Sequence, residues 1–161
     1  MSLTLDLKRE LLRHLVATLA FRGGIAVTDA PENFSEFRAG ENARSAGEIL
    51  AHIGDLIQGS LCLMKGEFVY LQSPAQSWTD DVNRFFTVVK EFDSYLASDS
   101  PLSQLIEKIM QGPIADALTH VGQIVMLRRL AGKPIRAESY FTVEIKAGEV
   151  NENTLRSLFE N

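Results

Sequence analysis

The run Asp116-Ala-Leu-Thr-His120-Val-Gly-Gln-Ile-Val-Met-Leu-Arg-Arg-Leu-Ala-Gly132 constrains the fold more tightly than any other stretch of this sequence. Ala117, Val121, Ile124, Leu127 and Ala131 return every three or four residues, the repeat of one helical face. Gly112-Pro113 stands before the run, and Gly132 with Pro134 beyond it supplies a stop, because glycine accepts the left-handed position past a helix end. A helix with one such stripe is stable only when other apolar surface covers it. The covering elements must come from the rest of the chain.

Three further stretches carry the same period. From about Leu5 to Arg22, the residues Leu7, Leu11, Leu15, Thr18 and Leu19 form a stripe that Gly23-Gly24 ends. Ser45-Ala-Gly-Glu48 is a capping box, and Ile49, Ile53, Leu56 and Ser60 follow it in a helix running to Lys65 before Gly66. Thr79, with Asp80 and Asp81 behind it, starts the third helix, whose broad face holds Val82, Phe85, Phe86, Val89, Phe92 and Leu96. Ser100-Pro101 opens the last helical region, which reaches Gln111 and pauses at Gly112-Pro113 as a kink or a break.

The connections are less regular. Residues 25–44 have no sustained period, although the rings of Phe34 and Phe37 need somewhere to pack. Phe68-Val-Tyr-Leu71 reads as part of a turn-rich connection, given Pro74. Tyr140 to Lys146 alternates polar and apolar residues and fits a short strand or an extended strap; Leu155, Leu158 and Phe159 suggest a short helix in the tail. Four helical periods without a multistrand sheet predict an all-α four-helix bundle. One domain, residues 1–161, is expected, with long connections and an extended or short-helical C-terminal segment.

Charge narrows the partners. A formal net charge of −5 and an isoelectric point of 5.2, with no basic-aromatic stripe, argue against nucleic acid. There is no signal-peptide pattern and no uncharged apolar run of about 18 residues, so a cytoplasmic chain that does not engage membranes is expected. The single cysteine, Cys62, sits in an amphipathic stretch and reads as a packed thiol rather than a nucleophile.

The histidines are His14, His52 and His120. Asp116 and His120 are four apart, on neighbouring turns of one helix, and this pair has two readings. It is a polar pair satisfying itself, which spacing alone favours, or two ligands of a metal. His52 lies on another helix, with Glu48 and Asp55 about one turn to either side. Two neutral imidazoles and a carboxylate can fill three positions of a divalent metal, but spacing does not show that the two helices bring them together. His14 reads as a rim or packed histidine.

Across roughly residues 5–146 the chain resembles the DinB/YfiT-like metalloenzyme superfamily, the DNA-damage-inducible DinB group. The likeness is strongest in Gly47-Glu-Ile-Leu-Ala-His52-Ile and in the Asp116–Gly132 run. It implies an up-down-down-up four-helix bundle, often a homodimer, and a metal triad of one second-helix histidine with an H-x-x-x-H pair from the last helix. His52 matches the first and His120 the second member of that pair. Asp116 stands where the family commonly has histidine. The implied cofactor is a divalent metal (zinc, nickel, manganese or iron) on His52, Asp116 and His120, working with a low-molecular-weight thiol and an electrophilic substrate. S-transferase or isomerase chemistry follows from the likeness. The alternative it leaves is a non-catalytic dimeric binding or stress-response protein with a degenerate metal site.

The same likeness gives neighbouring residues roles to test. Gln123, on the side of its helix that carries Asp116, is placed to orient a ligand or water. Glu48 or Asp55 would hold the outer nitrogen of His52. Arg128 and Arg129 would contact an anionic thiol cofactor, against the commoner role of arginines at a helix end.

Overall fold

The structure, a computed structural model, describes residues 3–152; the expected tail helix at Leu155, Leu158 and Phe159 lies outside them. Four long helices form the framework: α1 (Leu3–Val27), α2 (Ala46–Lys65), α3 (Trp78–Ala97) and α4 (residues 106–130). The last opens as Ile106–Ile109, widens into a π turn at Met110–Ile114 and continues as Ala115–Leu130. A short 3-10 turn, Phe34–Glu36, interrupts the first connection, and no strand occurs among the described residues. The all-α expectation holds. The Tyr140–Lys146 alternation makes turns instead of a strand, with Tyr140, Val143 and Ile145 laid against Phe21 and Ile25 of α1.

Local chemistry explains most boundaries. The capping box is present: Ser45 Oγ accepts from the Glu48 N–H at 3.2 Å, and Glu48 Oε2 accepts from the Ser45 N–H at 2.6 Å. Gly66 ends α2 at φ 83°, where a side chain would be strained. Ser77, not Thr79, caps α3 and accepts from the Asp80 N–H, so the helix starts earlier than the paired acids suggested. Leu105, not Ser100-Pro101, precedes the first turn of α4. Gly112-Pro113 neither breaks nor ends that helix. Proline lacks an N–H to return one turn back, and the chain widens locally so that the Ala115 N–H reaches the Met110 carbonyl five residues behind.

Helix α1 departs from its sequence reading in two ways. It runs through Gly23-Gly24 to Val27, because Gly23 is there for contact rather than for a stop. A Cβ on Gly23 would lie 2.5 Å from Phe85 Cζ of α3. Its buried face also differs from the expected stripe: Leu12, Val16, Ala17, Leu19 and Ala20 face the core, while Leu7 and Leu11 are 64% and 52% exposed. Alanines and glycine on the inner face bring α3 close, and Leu7 and Leu11 of the expected stripe are turned outward while Leu19 stays in the core.

Helix α1 lies between α3 and α4, and α2 lies across from it between the same two neighbours. Cross-links fix their directions. Arg9 in the first turns of α1 reaches the Leu96 carbonyl at the end of α3, and Gly23 near the end of α1 meets Phe85 in the first half of α3, so these two run antiparallel. Arg84 joins Asp55, and the Tyr95 hydroxyl joins the Met64 carbonyl, so α3 runs parallel to α2. Lys8 pairs with Glu107, and Arg128 with the Ala26 carbonyl, so α4 runs parallel to α1. No helix of the described residues is long and apolar enough to cross a membrane.

The Gly23–Phe85 contact carries a prediction. Phe85 is 1% exposed and edge-packed on Phe86, so its ring has no free space to enter. Gly23→Ala is expected to destabilise the fold. Overpacking costs about 1–3 kcal/mol, against a helix-propensity gain of at most ~1 kcal/mol. Urea unfolding of the two proteins measures the difference, and an unchanged or raised midpoint would mean that Phe85 yields.

Candidate metal centre

The capping box starts α2 so that His52 sits two turns inside it, on the flank facing α4. The π turn sets the rotation of α4, and its next residues bring Asp116 and His120 to the same place. One nitrogen or oxygen from each of the three side chains lies within 4.8 Å of the others. His120 Nε2 is 3.5 Å from Asp116 Oδ1, and His52 Nε2 is 3.9 Å from Asp116 Oδ2. The two imidazoles meet edge to face, centroids 4.8 Å apart. Spacing could not show this meeting, which depends on two helices.

The three side chains are close enough together that they could hold a metal ion. No hydrogen bond joins any two of the three groups, and both Nε2 atoms face the carboxylate. Ligand bonds of 2.0–2.1 Å put neighbouring donors on a tetrahedral ion about 3.3 Å apart, so the Asp116–His120 separation of 3.5 Å needs little change, while His52, 3.9 Å from Asp116, would have to draw in. Burial lowers the His52 pKa below its ordinary value, reinforced by His120 and Arg44 and opposed by Asp116 and Asp55. The neutral imidazole so favoured is the form that binds metal. Asp116 remains half exposed and His120 is 13% exposed. One feature fits less well: His120 Nδ1 is buried with no hydrogen-bond partner.

The acids expected to support His52 do other work. Glu48 accepts from the Ser45 N–H and from Arg38. Asp55 Oδ2 accepts from the Ser73 N–H at 2.8 Å, and Oδ1 accepts from the Ser73 hydroxyl at 2.7 Å and Arg84 at 2.5 Å. Neither holds His52, because each is already committed elsewhere. Burial alone would raise the Asp55 pKa, but the two Ser73 bonds and Arg84 outweigh it and hold the carboxyl below its ordinary value.

The remaining sequence candidates are placed as follows. Gln123 is exposed and does not line the cleft at the centre. Arg128 is buried, donating to the carbonyls of Ala26, Thr28, Asp29 and Lys133; its guanidinium is engaged within the fold. Arg129 and His14 are exposed, and Cys62 is half-buried with a long contact from Gln58. A cleft of about 630 Å³ opens beside the centre, walled by Leu56 and Leu63 of α2, Val69 and Tyr70 of the following connection, and Pro113 of the π turn. No local pattern marks these connection residues as walls, since their placement depends on the Asp55–Ser73 tether. In comparisons with known proteins, the chain matches no family model, no curated protein and no solved structure.

The Asp55 network yields a pH prediction. Its folded pKa lies below the ordinary 3.8, so its stabilisation is complete above 3.8 and is lost as pH falls through the lower folded value. Asp55→Asn should therefore be less stable than wild type at neutral pH, with the gap narrowing below pH 3.8. Urea midpoints across that range test it; a gap that stays constant would refute the linkage.

Proposed function

We propose that this chain is a DinB-like protein in which His52, Asp116 and His120 hold one divalent metal and leave a position open to a small ligand. The convergence of three donor side chains from two helices, beside a cleft, carries the reading. The parallel and antiparallel helix pairings support an up-down-down-up order. Two imidazoles and a carboxylate suit zinc, nickel, manganese or iron(II). Bound there, the metal supplies Lewis acidity and favours the thiolate form of a thiol.

The chain's own residues set the rest. Asp116 brings a negative charge that a third histidine would not, offsetting part of the cation's charge. His52 is kept neutral and ready to donate its lone pair. Leu56, Leu63 and Val69 supply an apolar bed for an electrophilic substrate. The activity is that of a thiol-dependent S-transferase or isomerase acting with a low-molecular-weight thiol. The second reading, a non-catalytic binding or stress-response protein with a degenerate site, draws on the unpartnered Nδ1 of His120. A homodimer is part of both readings, supported by Leu7 and Leu11 exposed on one flank of α1.

Calorimetric metal titration of freshly demetallated protein tests the centre. His52→Ala should lose about a hundredfold or more in affinity, beyond the tenfold to hundredfold typical of outer hydrogen-bond partners. Asp116→Asn should lose less, and Asp116→His should keep a site while shifting preference from manganese toward zinc and nickel. Equal, weak binding of zinc, nickel, manganese and iron(II) by wild type and His52→Ala would overturn the assignment and the transferase reading with it. For the dimer, sedimentation equilibrium should give twice the 17.9 kDa chain mass, with Leu11→Glu reverting to one chain. A single-chain mass for wild type across the micromolar range excludes it.

A further inference from the structure

The cleft beside His52 has a second lobe on the far side of Tyr70-Leu71. This lobe, about 660 Å³, shares His52, Asp55, Tyr70 and Leu71 with the first and is also lined by Arg44 and Glu48. Both volumes are in the range of small-molecule sites. The lobes differ in chemistry. The first is bordered by Leu56, Leu63, Val69 and Pro113, and Gly59 and Gly112 on its walls face open space. The second carries charge.

Of the charged groups in that second lobe, the acids are both committed. Glu48 is bound by Arg38 and the Ser45 N–H, and Asp55 by Arg84 and Ser73. Arg44 is different. It is exposed and, among the described residues, makes neither a hydrogen bond nor an ion pair. Its position one residue before the Ser45 cap is held by the capping box, so the base of this side chain is fixed while its head is unengaged. Its charge is also near enough to His52 to weaken that imidazole's hold on a proton. A guanidinium presents a planar fork of donors that matches the two oxygens of a carboxylate.

We infer that Arg44 anchors the carboxylate of a small ligand whose apolar part lies in the first lobe and whose donor atom reaches His52, Asp116 and His120. The inference rests on the reading of that centre as a ligand site. It makes Arg44 a specificity-determining residue, selecting ligands that pair an anionic end with an apolar end across the Tyr70-Leu71 segment. Arg38, the other arginine near the start of α2, serves as the internal contrast, because Glu48 and the Ala43 carbonyl already engage it.

Calorimetry with 4-phenylbutyrate and its neutral counterpart 4-phenylbutanol tests the anchor on chelator-treated protein, where no metal competes for the carboxylate. Wild type should bind the acid about tenfold to a hundredfold more tightly than the alcohol, the scale of one charge-assisted hydrogen-bonded contact. That preference should vanish in Arg44→Gln, survive in part in Arg44→Lys and survive in full in Arg38→Gln. Absence of the preference in wild type, or its persistence in Arg44→Gln, overturns the inference. Zinc titration of the same samples reads the centre separately. If zinc binds no form while the acid preference still follows Arg44, the metal reading fails and the carboxylate anchor stands.

Discussion

A helix that ends inside a fold leaves carbonyl oxygens without partners, and this bundle depends on two buried arginines to meet them. Arg128 donates to the carbonyls of Ala26, Thr28 and Asp29 where α1 ends, and to Lys133 just past α4. Arg9 donates to the carbonyls of Leu96, Ser98 and Ser100 where α3 ends. Each unmet buried acceptor would cost about 1–3 kcal/mol, so these groups outweigh any exposed ion pair on the surface. Burial lowers the Arg128 pKa, with Asp29 opposing the shift. The same clamp that closes α1 against α4 therefore removes Arg128 from the cations open to a ligand.

A partly buried ion pair links the framework to the site. Arg84 reaches from α3 to Asp55 and to the Ala51 carbonyl on α2, passing so close to Gly54 that an added Cβ would lie 3.0 Å from its Nη1. Asp55 then holds Ser73 through two bonds. The connection between α2 and α3 is thereby tied down beside His52, and its residues Val69 to Leu71 become cleft walls. Asp55, satisfied by Arg84 and Ser73, does not bond His52, and burial, reinforced by the charges of His120 and Arg44, keeps that imidazole below its ordinary pKa. Core packing, loop position and donor state are thus coupled through one carboxylate.

What was legible in the sequence follows how local each signal is. The Ser45–Glu48 box involves four consecutive residues, and the structure forms it as expected. The α4 stripe Ala117, Val121, Ile124 and Leu127 is buried, as its period requires. The stripe of α1 misled because Leu11 and Leu12, or Leu15 and Val16, offer two adjacent faces, and only contact with α3 decides between them. Gly23 reads as a stop when taken alone and as a contact surface once Phe85 is beside it. Gly112-Pro113 marks an irregularity without saying that it is a widened turn. The meeting of His52 with Asp116 and His120 was visible only through likeness to a family, because no spacing within one helix encodes a crossing between two.

The strength of the centre turns on where His120 keeps its proton. Both Nε2 atoms face Asp116, so metal binding through Nε2 requires the His120 proton to sit on Nδ1. That atom is buried without an acceptor, and leaving an N–H there costs about 1–3 kcal/mol, or roughly tenfold to hundredfold in affinity. A proton on Nε2 instead would face Asp116 at 3.5 Å and leave only a lone pair on Nδ1. The negative charge of Asp116 would act in the opposite sense, because it adds a Coulombic attraction for a cation that a neutral imidazole lacks. Substituting histidine for Asp116 would remove that attraction and leave the His120 proton as before. In a metal centre built on these three residues, the charge of Asp116 would offset part of the cost of a His120 that lacks support behind it.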